Sequence, residues 1–230
     1  MRIHQLTLAS SNVAAQSSFY RDMLGLPVRE CAGDSIEVAL QASTIRFEPA
    51  SHGSEPRYHF AINVPRGSIA EAAEWVGDRH ELLAFHGNPD VEEGATIVAE
   101  RAVYFLDPGG NVVELIANER LDDDFGGRFG PDSLLEISEI GLATRHVEAT
   151  CAAIQEVLGA EISWGGEPGD ELTAIGDFHG VVIVAPVGRG WNPIGLPAEP
   201  LPTTIMAAAA EPRELILPEG PYHIRGVADV

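Results

Sequence analysis

One pattern of secondary structure recurs along the chain, and this repeat constrains the fold more than any other feature of the sequence. Each copy begins with a strand of alternating apolar and polar residues, continues through a turn into an amphipathic helix, and ends in short strand-like runs. The pattern predicts a βαβββ unit that occurs at least three times. The opening strands are residues 3–9, 58–64 and 138–143, and the helices are residues 13–24, 69–76 and 147–158.

The sequence between and after these copies is less regular. Residues 119–134 include three consecutive aspartates and a Gly-rich stretch, which are typical of a solvated linker. Residues 203–217 could supply the strands of a reduced fourth unit. We therefore expect a domain of two units with a metal cup at 1–118, a linker at 119–134, and a degenerate second half at 135–230.

Three segments carry a resemblance to a known family: SFYRDMLGL at 18–26, HFAINV at 59–64 and FLDPGGNVVEL at 105–115. They resemble the vicinal oxygen chelate (VOC) superfamily, which includes glyoxalase I, extradiol dioxygenases, fosfomycin-resistance enzymes and bleomycin resistance proteins. The last segment is similar to that family's Asp-Pro-x-Gly-Asn-x-x-Glu-Leu motif. The resemblance implies an α+β fold in which paired βαβββ modules form curled mixed sheets. It also implies that two units form a cup around a divalent metal ion.

Strand alternation indicates which side chains face such a cup. In the first strand Leu6 and Leu8 form an apolar face, which leaves Gln5 on the opposite face. The same alternation places His59 opposite the apolar face of the second opening strand, and Glu48 and Glu114 opposite the apolar faces of the two closing strands. Gln5 and His59 thus occupy equivalent positions in their units, and we interpret Glu48 and Glu114 as a second equivalent pair.

By resemblance, these four residues lie at the family's metal-ligand positions. An oxygen-rich set with one His suits Zn²⁺, Ni²⁺, Mn²⁺ or Fe²⁺, and it leaves coordination positions open for a bidentate substrate. The ion would polarise a carbonyl group or hold an enediolate while Glu114 or Glu48 moves a proton. We therefore expect a glyoxalase I-like lyase or isomerase that acts on a small carbonyl or hydroxy compound.

Each candidate ligand also has an ordinary structural explanation. A single His in a strand is commonly a hydrogen-bonded structural residue, and Gln5 could simply form hydrogen bonds in a polar cavity. Glu48 could be the exposed end of a strand. Glu114 is the hardest to explain in this way, because a carboxylate within Val-Val-Glu-Leu-Ile needs a partner.

The second half of the chain offers fewer ligands. Glu139 lies at the position of Gln5 and His59, but Ala185 lies at the position assigned to Glu48. We therefore expect this half to buttress the first, with Glu139 as a buried hydrogen-bond anchor, or as a substrate contact if the halves face each other. Trp191 lies in a Gly-rich segment that is either a lid or, as we favour, a surface loop with a packed tryptophan.

Two other functions agree with the resemblance. An extradiol dioxygenase would require two His residues and one carboxylate around Fe²⁺, and only His59 lies at a ligand position. A non-catalytic protein that binds a small ligand, similar to bleomycin resistance proteins, would need no metal. The sequence favours an enzyme over such a binding protein only through the predicted metal site.

Composition limits the partners. The chain carries 35 acidic and 14 basic residues, a formal net charge of −21, which disfavours nucleic acids and anionic membranes. Its two cysteines cannot form a disulfide framework, and its apolar runs are shorter than the roughly 20 residues of a membrane helix. We expect a cytoplasmic protein with a small-molecule substrate. A homodimer would complete the cup if the two halves of one chain do not.

Overall fold

The computed structural model describes residues 1–86, 94–98, 101–121, 126–165, 172–217 and 220–228. The first unit opens with a strand that is followed by a helix whose final turns are π-helical. The Asn12 side chain begins this helix by accepting a hydrogen bond from the Ala15 backbone N–H at 3.0 Å. The elements of this unit are β1 (Ile3–Ser10), α1 (Val13–Ser18) with its π-helical continuation (Phe19–Met23), β2 (Val28–Cys31), β3 (Ser35–Ala39) and β4 (Thr44–Pro49).

The second and third units follow the same order of elements. The second contains β5 (His59–Val64), α2 (Ile69–Gly77), β6 (Ile97–Val98), β7 (Ala102–Leu106) and β8 (Val112–Ala117). The third contains β9 (Glu136–Thr144), α3 (Val147–Leu158), β10 (Ile162–Gly165), β11 (Thr173–Asp177) and β12 (Gly180–Pro186). The three predicted copies of the βαβββ pattern are therefore present.

A fourth, reduced unit completes the chain. Residues 209–212 connect its first two strands directly, so this unit has no helix at the place where the other units have one. A small hairpin precedes it, outside the main sheet. These last elements are β13 (Gly190–Trp191), β14 (Leu196–Pro197), β15 (Thr203–Ala208), β16 (Arg213–Leu217) and β17 (Tyr222–Val227). The sequence predicted β15 and β16 and missed β17.

Within each unit the first strand pairs in parallel with the last, which gives β1 with β4, β5 with β8, β9 with β12, and β15 with β17. Between units, β1 pairs antiparallel with β15, and β5 pairs antiparallel with β9. One curled mixed sheet results, with the helices packed against it. The expected α+β class and paired βαβββ modules are confirmed.

The pairing of the units differs from the expected one. Unit 1 pairs with unit 4, and unit 2 pairs with unit 3, so no cup forms between units 1 and 2 within residues 1–118. We call the concave face of β5, β8, β9 and β12 the middle cup, and that of β1, β4, β15 and β17 the outer cup. Strand β9 intervenes between β1 and β5 in the strand order of the sheet. Each cup is completed within the single chain.

The turn between β7 and β8 is a buried polar junction. Asp107, 4% exposed, accepts hydrogen bonds from Gln16 Nε2 at 2.9 Å, from Tyr20 Oη at 3.1 Å, and from the Asn111 side chain at 2.8 Å. It also accepts from the backbone N–H of Gly109. The motif that carried much of the family resemblance therefore connects the helix of unit 1 to unit 2.

The predicted linker is not uniformly solvated. Among its described residues, Leu121, Phe129 and Leu134 are buried, and Phe129 packs against Trp75 with ring centroids 5.4 Å apart. The three consecutive aspartates lie outside the described residues. In the described part of the chain, none of the helices has the length and apolar character needed to cross a membrane.

Candidate metal centre

The middle cup brings three side chains together through strand register. Ala61 on β5 lies opposite Glu114 on β8 and opposite Glu139 on β9, so the two glutamates flank one small residue. His59 lies two residues before Ala61, on the same face of its strand. Because alanine fills little space, the three larger side chains converge above it.

The three residues form a compact set of potential ligands. One ligand atom from each of His59, Glu114 and Glu139 lies within 4.8 Å of the others. His59 Nε2 is 3.5 Å from Glu114 Oε2, and both residues are 5% exposed. Tyr104 Oη donates a hydrogen bond of 2.7 Å to Glu114 Oε1, which fixes that carboxylate. Glu139 is partly buried and borders a cavity.

Burial shifts the pKa values of all three residues. Burial raises the pKa of Glu139 to about 7. Burial also raises the pKa of Glu114, and the neighbouring Glu139 charge adds to this effect, whereas the Tyr104 hydrogen bond opposes it. Burial lowers the pKa of His59 to about 4. The protein alone therefore compensates these two carboxylates poorly, and a bound divalent cation would stabilise both ionised forms.

The donor set fits a borderline divalent ion. A neutral imidazole has one nitrogen lone pair, and His59 Nε2, which lies 3.5 Å from Glu114 Oε2, can offer it to an ion when Nδ1 carries the proton. One imidazole nitrogen and two carboxylates suit Zn²⁺, Ni²⁺, Mn²⁺ or Fe²⁺. His59, Glu114 and Glu139 could thus hold the ion and leave positions open for a substrate.

Among the described residues of unit 3, the position equivalent to Glu114 offers no fourth ligand. Its counterpart of Glu114 is Ile183, because Gly141 lies opposite Ile183 just as Ala61 lies opposite Glu114. Ile183 and Ala185 are both buried in an apolar cluster on the concave face. Ala185, which the sequence placed at this position, instead lies opposite Ala143.

The outer cup holds the other two predicted ligands. Gln5 lies opposite Met206 on β15, and the Glu48 carboxylate, 48% exposed, accepts a hydrogen bond of 2.8 Å from Arg46 Nε. The prediction of one site from Gln5, Glu48, His59 and Glu114 is therefore corrected to two separate pairs. The physical reason is that β5 pairs with β9 rather than with β1.

Strand register also corrects the equivalence drawn for Glu48. Thr7, two residues after Gln5, lies opposite Arg46, just as Ala61 lies opposite Glu114. The counterpart of Glu114 in unit 1 is therefore Arg46, and Glu48 lies two residues further along β4. A guanidinium at this position opposes the binding of a metal cation.

Glu139 is the candidate ligand that the sequence analysis did not assign. The repeat showed that Glu139 is equivalent to His59. The sequence did not show which unit lies beside unit 3, and the second half offered few other ligands. Once unit 3 is paired with unit 2, that position lies beside His59 and Glu114.

Trp191 covers the middle cup on the His59 side. Its ring is 4% exposed and stacks on His59, with centroids 5.4 Å apart and planes 25° apart. Gly141 makes room for the ring, since a Cβ at that position would lie 2.7 Å from Trp191 atoms. Leu196 and Ala198 are buried beside it. The favoured expectation was a surface loop with a packed tryptophan; the Trp191 side chain is packed, but inside the cup.

Comparison with known proteins identifies the fold. No family model and no curated protein matches the sequence. A putative dioxygenase from Bacillus subtilis is similar in structure, with 16% identity, a TM-score of 0.63, and coverage of 98% of this chain and 85% of the other. Glyoxalase I from Zea mays gives 13% identity, a TM-score of 0.56, and coverage of 98% and 92%. At such identities the likeness shows the fold alone, and the chain has the VOC fold along almost its whole length.

Proposed function

We propose that the protein is a metal-dependent enzyme, a glyoxalase I-like lyase or isomerase that acts on a small carbonyl or hydroxy compound through an enediolate. The observation that carries this proposal is the convergence of His59, Glu114 and Glu139 within 4.8 Å in the middle cup. One bound divalent ion per chain would polarise the substrate carbonyl and so acidify the adjacent C–H bond.

The two carboxylates have different surroundings, and this suggests different roles. Glu114 is buried and held by the Tyr104 hydroxyl at 2.7 Å, so it suits the role of a fixed ligand. Glu139 has no such hydrogen bond among the described residues and borders a cavity. We assign proton transfer to Glu139, with Glu114 as the positioned ligand. Glu48, the other base suggested by the sequence, lies in the outer cup and takes no part in this assignment.

Of the two alternatives, one is weaker on a specific ground and the other has one observation in its favour. Extradiol oxygenation uses two His and one carboxylate, whereas this set has one His and two carboxylates. A non-catalytic ligand-binding protein is favoured by one observation, which is that the Trp191 hairpin fills much of the concave face. Metal binding and proton exchange separate these three functions.

Metal binding is tested first, by element analysis and calorimetry on chelator-treated protein reloaded with Zn²⁺, Ni²⁺, Co²⁺ or Mn²⁺. We expect one ion per chain in the wild type and at least about ten-fold weaker binding in His59→Ala, Glu114→Gln and Glu139→Gln. Glu48→Gln is the matched control, because it removes a carboxylate of the outer cup. Equal binding by the control and the three variants would refute the site.

Chemistry is tested by proton exchange. Metal-loaded protein incubated with dihydroxyacetone in D₂O should catalyse deuterium incorporation at the carbon next to the carbonyl, which proton magnetic resonance detects. Glu139→Gln should lose this exchange. Oxygen uptake with catechol by the Fe²⁺-loaded protein would instead favour the dioxygenase, and tight metal binding without either reaction would favour a binding protein.

A further inference from the structure

The middle cup is closed on the side of His59. The pocket between His59, Gly141 and Trp191 has no space for a water molecule. The Trp191 ring occupies this space, and the absence of a side chain at Gly141 allows it to approach the sheet closely. A ligand therefore cannot reach the metal centre from this side unless the hairpin moves.

The cup is open on the side of Glu139. A cavity of about 430 Å³ reaches this carboxylate, with Ile116 and Val181 on the concave faces of β8 and β12. Much of its lining is polar: guanidinium, amide and hydroxyl groups lie beside the carboxylates of Glu119 and Asp177, and Arg101 Nη2 is 3.5 Å from Glu119 Oε1. The guanidinium, amide and hydroxyl groups include those of Arg101, Asn118, Ser138 and Ser163.

We propose that this cavity is the substrate-binding site, with Trp191 as the closed wall opposite it, and that its occupant is a compact, oxygen-rich hydroxy or carbonyl compound. The inference rests on the proposed function, since it assumes that the ion binds at His59, Glu114 and Glu139. The polar groups of the lining would hydrogen-bond the substrate oxygens that do not contact the metal. A purely aromatic occupant would leave these groups without partners.

The test narrows the cavity by tryptophan substitution at residues on two of its walls. Ser163 on β10 and Asn118 after β8 both line it, and neither belongs to the metal centre. Ser163→Trp and Asn118→Trp should leave Co²⁺ uptake unchanged and weaken lactate binding at least about ten-fold. Lactate is the probe because it is a compact bidentate oxygen ligand, and its binding is read from the visible spectrum of the Co²⁺-loaded protein. Ser54→Trp, in the outer cup's cavity, is the matched control.

A second variant tests the closed wall. Trp191→Ala removes the ring above His59 and should restore lactate binding to the Ser163→Trp protein, because it opens another approach to the ion. If Ser163→Trp and Asn118→Trp bind Co²⁺ and lactate as the wild type does, the inference is overturned while the metal site stands. Co²⁺-loaded wild type that does not respond to lactate also overturns it. A wild type that takes up no Co²⁺ refutes the proposed function itself, which is a different result.

Discussion

The two adjacent carboxylates of the middle cup predict an unusual dependence of stability on pH. Burial raises the pKa of Glu139 from its ordinary value of 4.5 to about 7. A folded-state pKa above the unfolded value means that the folded state holds the proton more tightly. Ionising Glu139 therefore lowers the free energy of unfolding. This loss is absent below pH 4.5, grows as pH rises toward 7, and is fully present above it. A pKa shift of this size corresponds to a destabilisation of the folded state by about 3 kcal/mol at high pH.

Substitution of Glu139 by Gln should remove this cost. In metal-free protein at pH 8, Glu139→Gln is expected to be more stable than the wild type by up to about 3 kcal/mol, and near pH 4.5 the two should be almost equal. The measurement is urea unfolding at several pH values in the presence of a chelator, followed by linear extrapolation. Glu48→Gln, which alters an exposed carboxylate, should change stability by less than about 0.5 kcal/mol at every pH.

A bound ion should reduce this difference in stability. At 100 times its dissociation constant, a metal that binds only the folded state adds about 2.7 kcal/mol to the wild type and much less to Glu139→Gln. If the metal-free variant is no more stable than the wild type at pH 8, Glu139 is not held in a desolvated position beside Glu114. That result would refute the electrostatic reasoning behind the candidate metal centre.

Three further predictions address single contacts. Asp107→Ala leaves several buried donors without an acceptor and should lower the free energy of unfolding by about 3–5 kcal/mol, measured by urea denaturation. Tyr104→Phe frees the Glu114 carboxylate and should weaken metal affinity about 10–100-fold with little change in circular dichroism. Gly141→Ala places a Cβ against the Trp191 ring and should expel it, which a red shift of tryptophan fluorescence would show, whereas an unchanged spectrum would contradict the packing.

Strand alternation was sufficient to predict the faces of individual strands. It placed His59 and Glu114 on the concave side of unit 2, where both lie, and the repeat placed Glu139 at the position equivalent to His59. Alternation could not predict which units pair, because it indicates which face of a strand is apolar and not which strand lies beside it. That choice depends on tertiary packing, and it decided which residue is the third candidate ligand.

The hairpin that covers the middle cup shows a second limit of sequence reasoning. Trp191 has an apolar ring in a Gly-rich segment, and such a residue can pack in many places. Its partner is Gly141, a glycine within a strand, which becomes informative only when β9 is known to face the hairpin. A glycine inside a strand commonly marks a close approach of another group, so this residue was the available signal.

The two cups have diverged at the residues that would hold a cation. In the middle cup, the positions equivalent to Glu114 carry Glu114 itself and Ile183. In the outer cup they carry Arg46 and Arg225, because Thr7 lies opposite Arg46 and Met206 lies opposite Arg225. Two guanidinium groups at these positions repel a divalent ion, while two carboxylates beside one imidazole attract it.

This divergence follows from the duplicated architecture. Both cups use the same strand register, so the same backbone positions point into each concave face, and only the side chains differ. A carboxylate that is poorly compensated by the protein destabilises the fold unless a ligand repays that cost, and Glu114 and Glu139 are two such groups in one place. The carboxylates Glu48 and Glu37 of unit 1 do not destabilise the fold in this way, because both are paired with the Arg46 guanidinium. The energetic asymmetry between the cups is therefore the physical reason to place the metal, and the chemistry, in the middle cup.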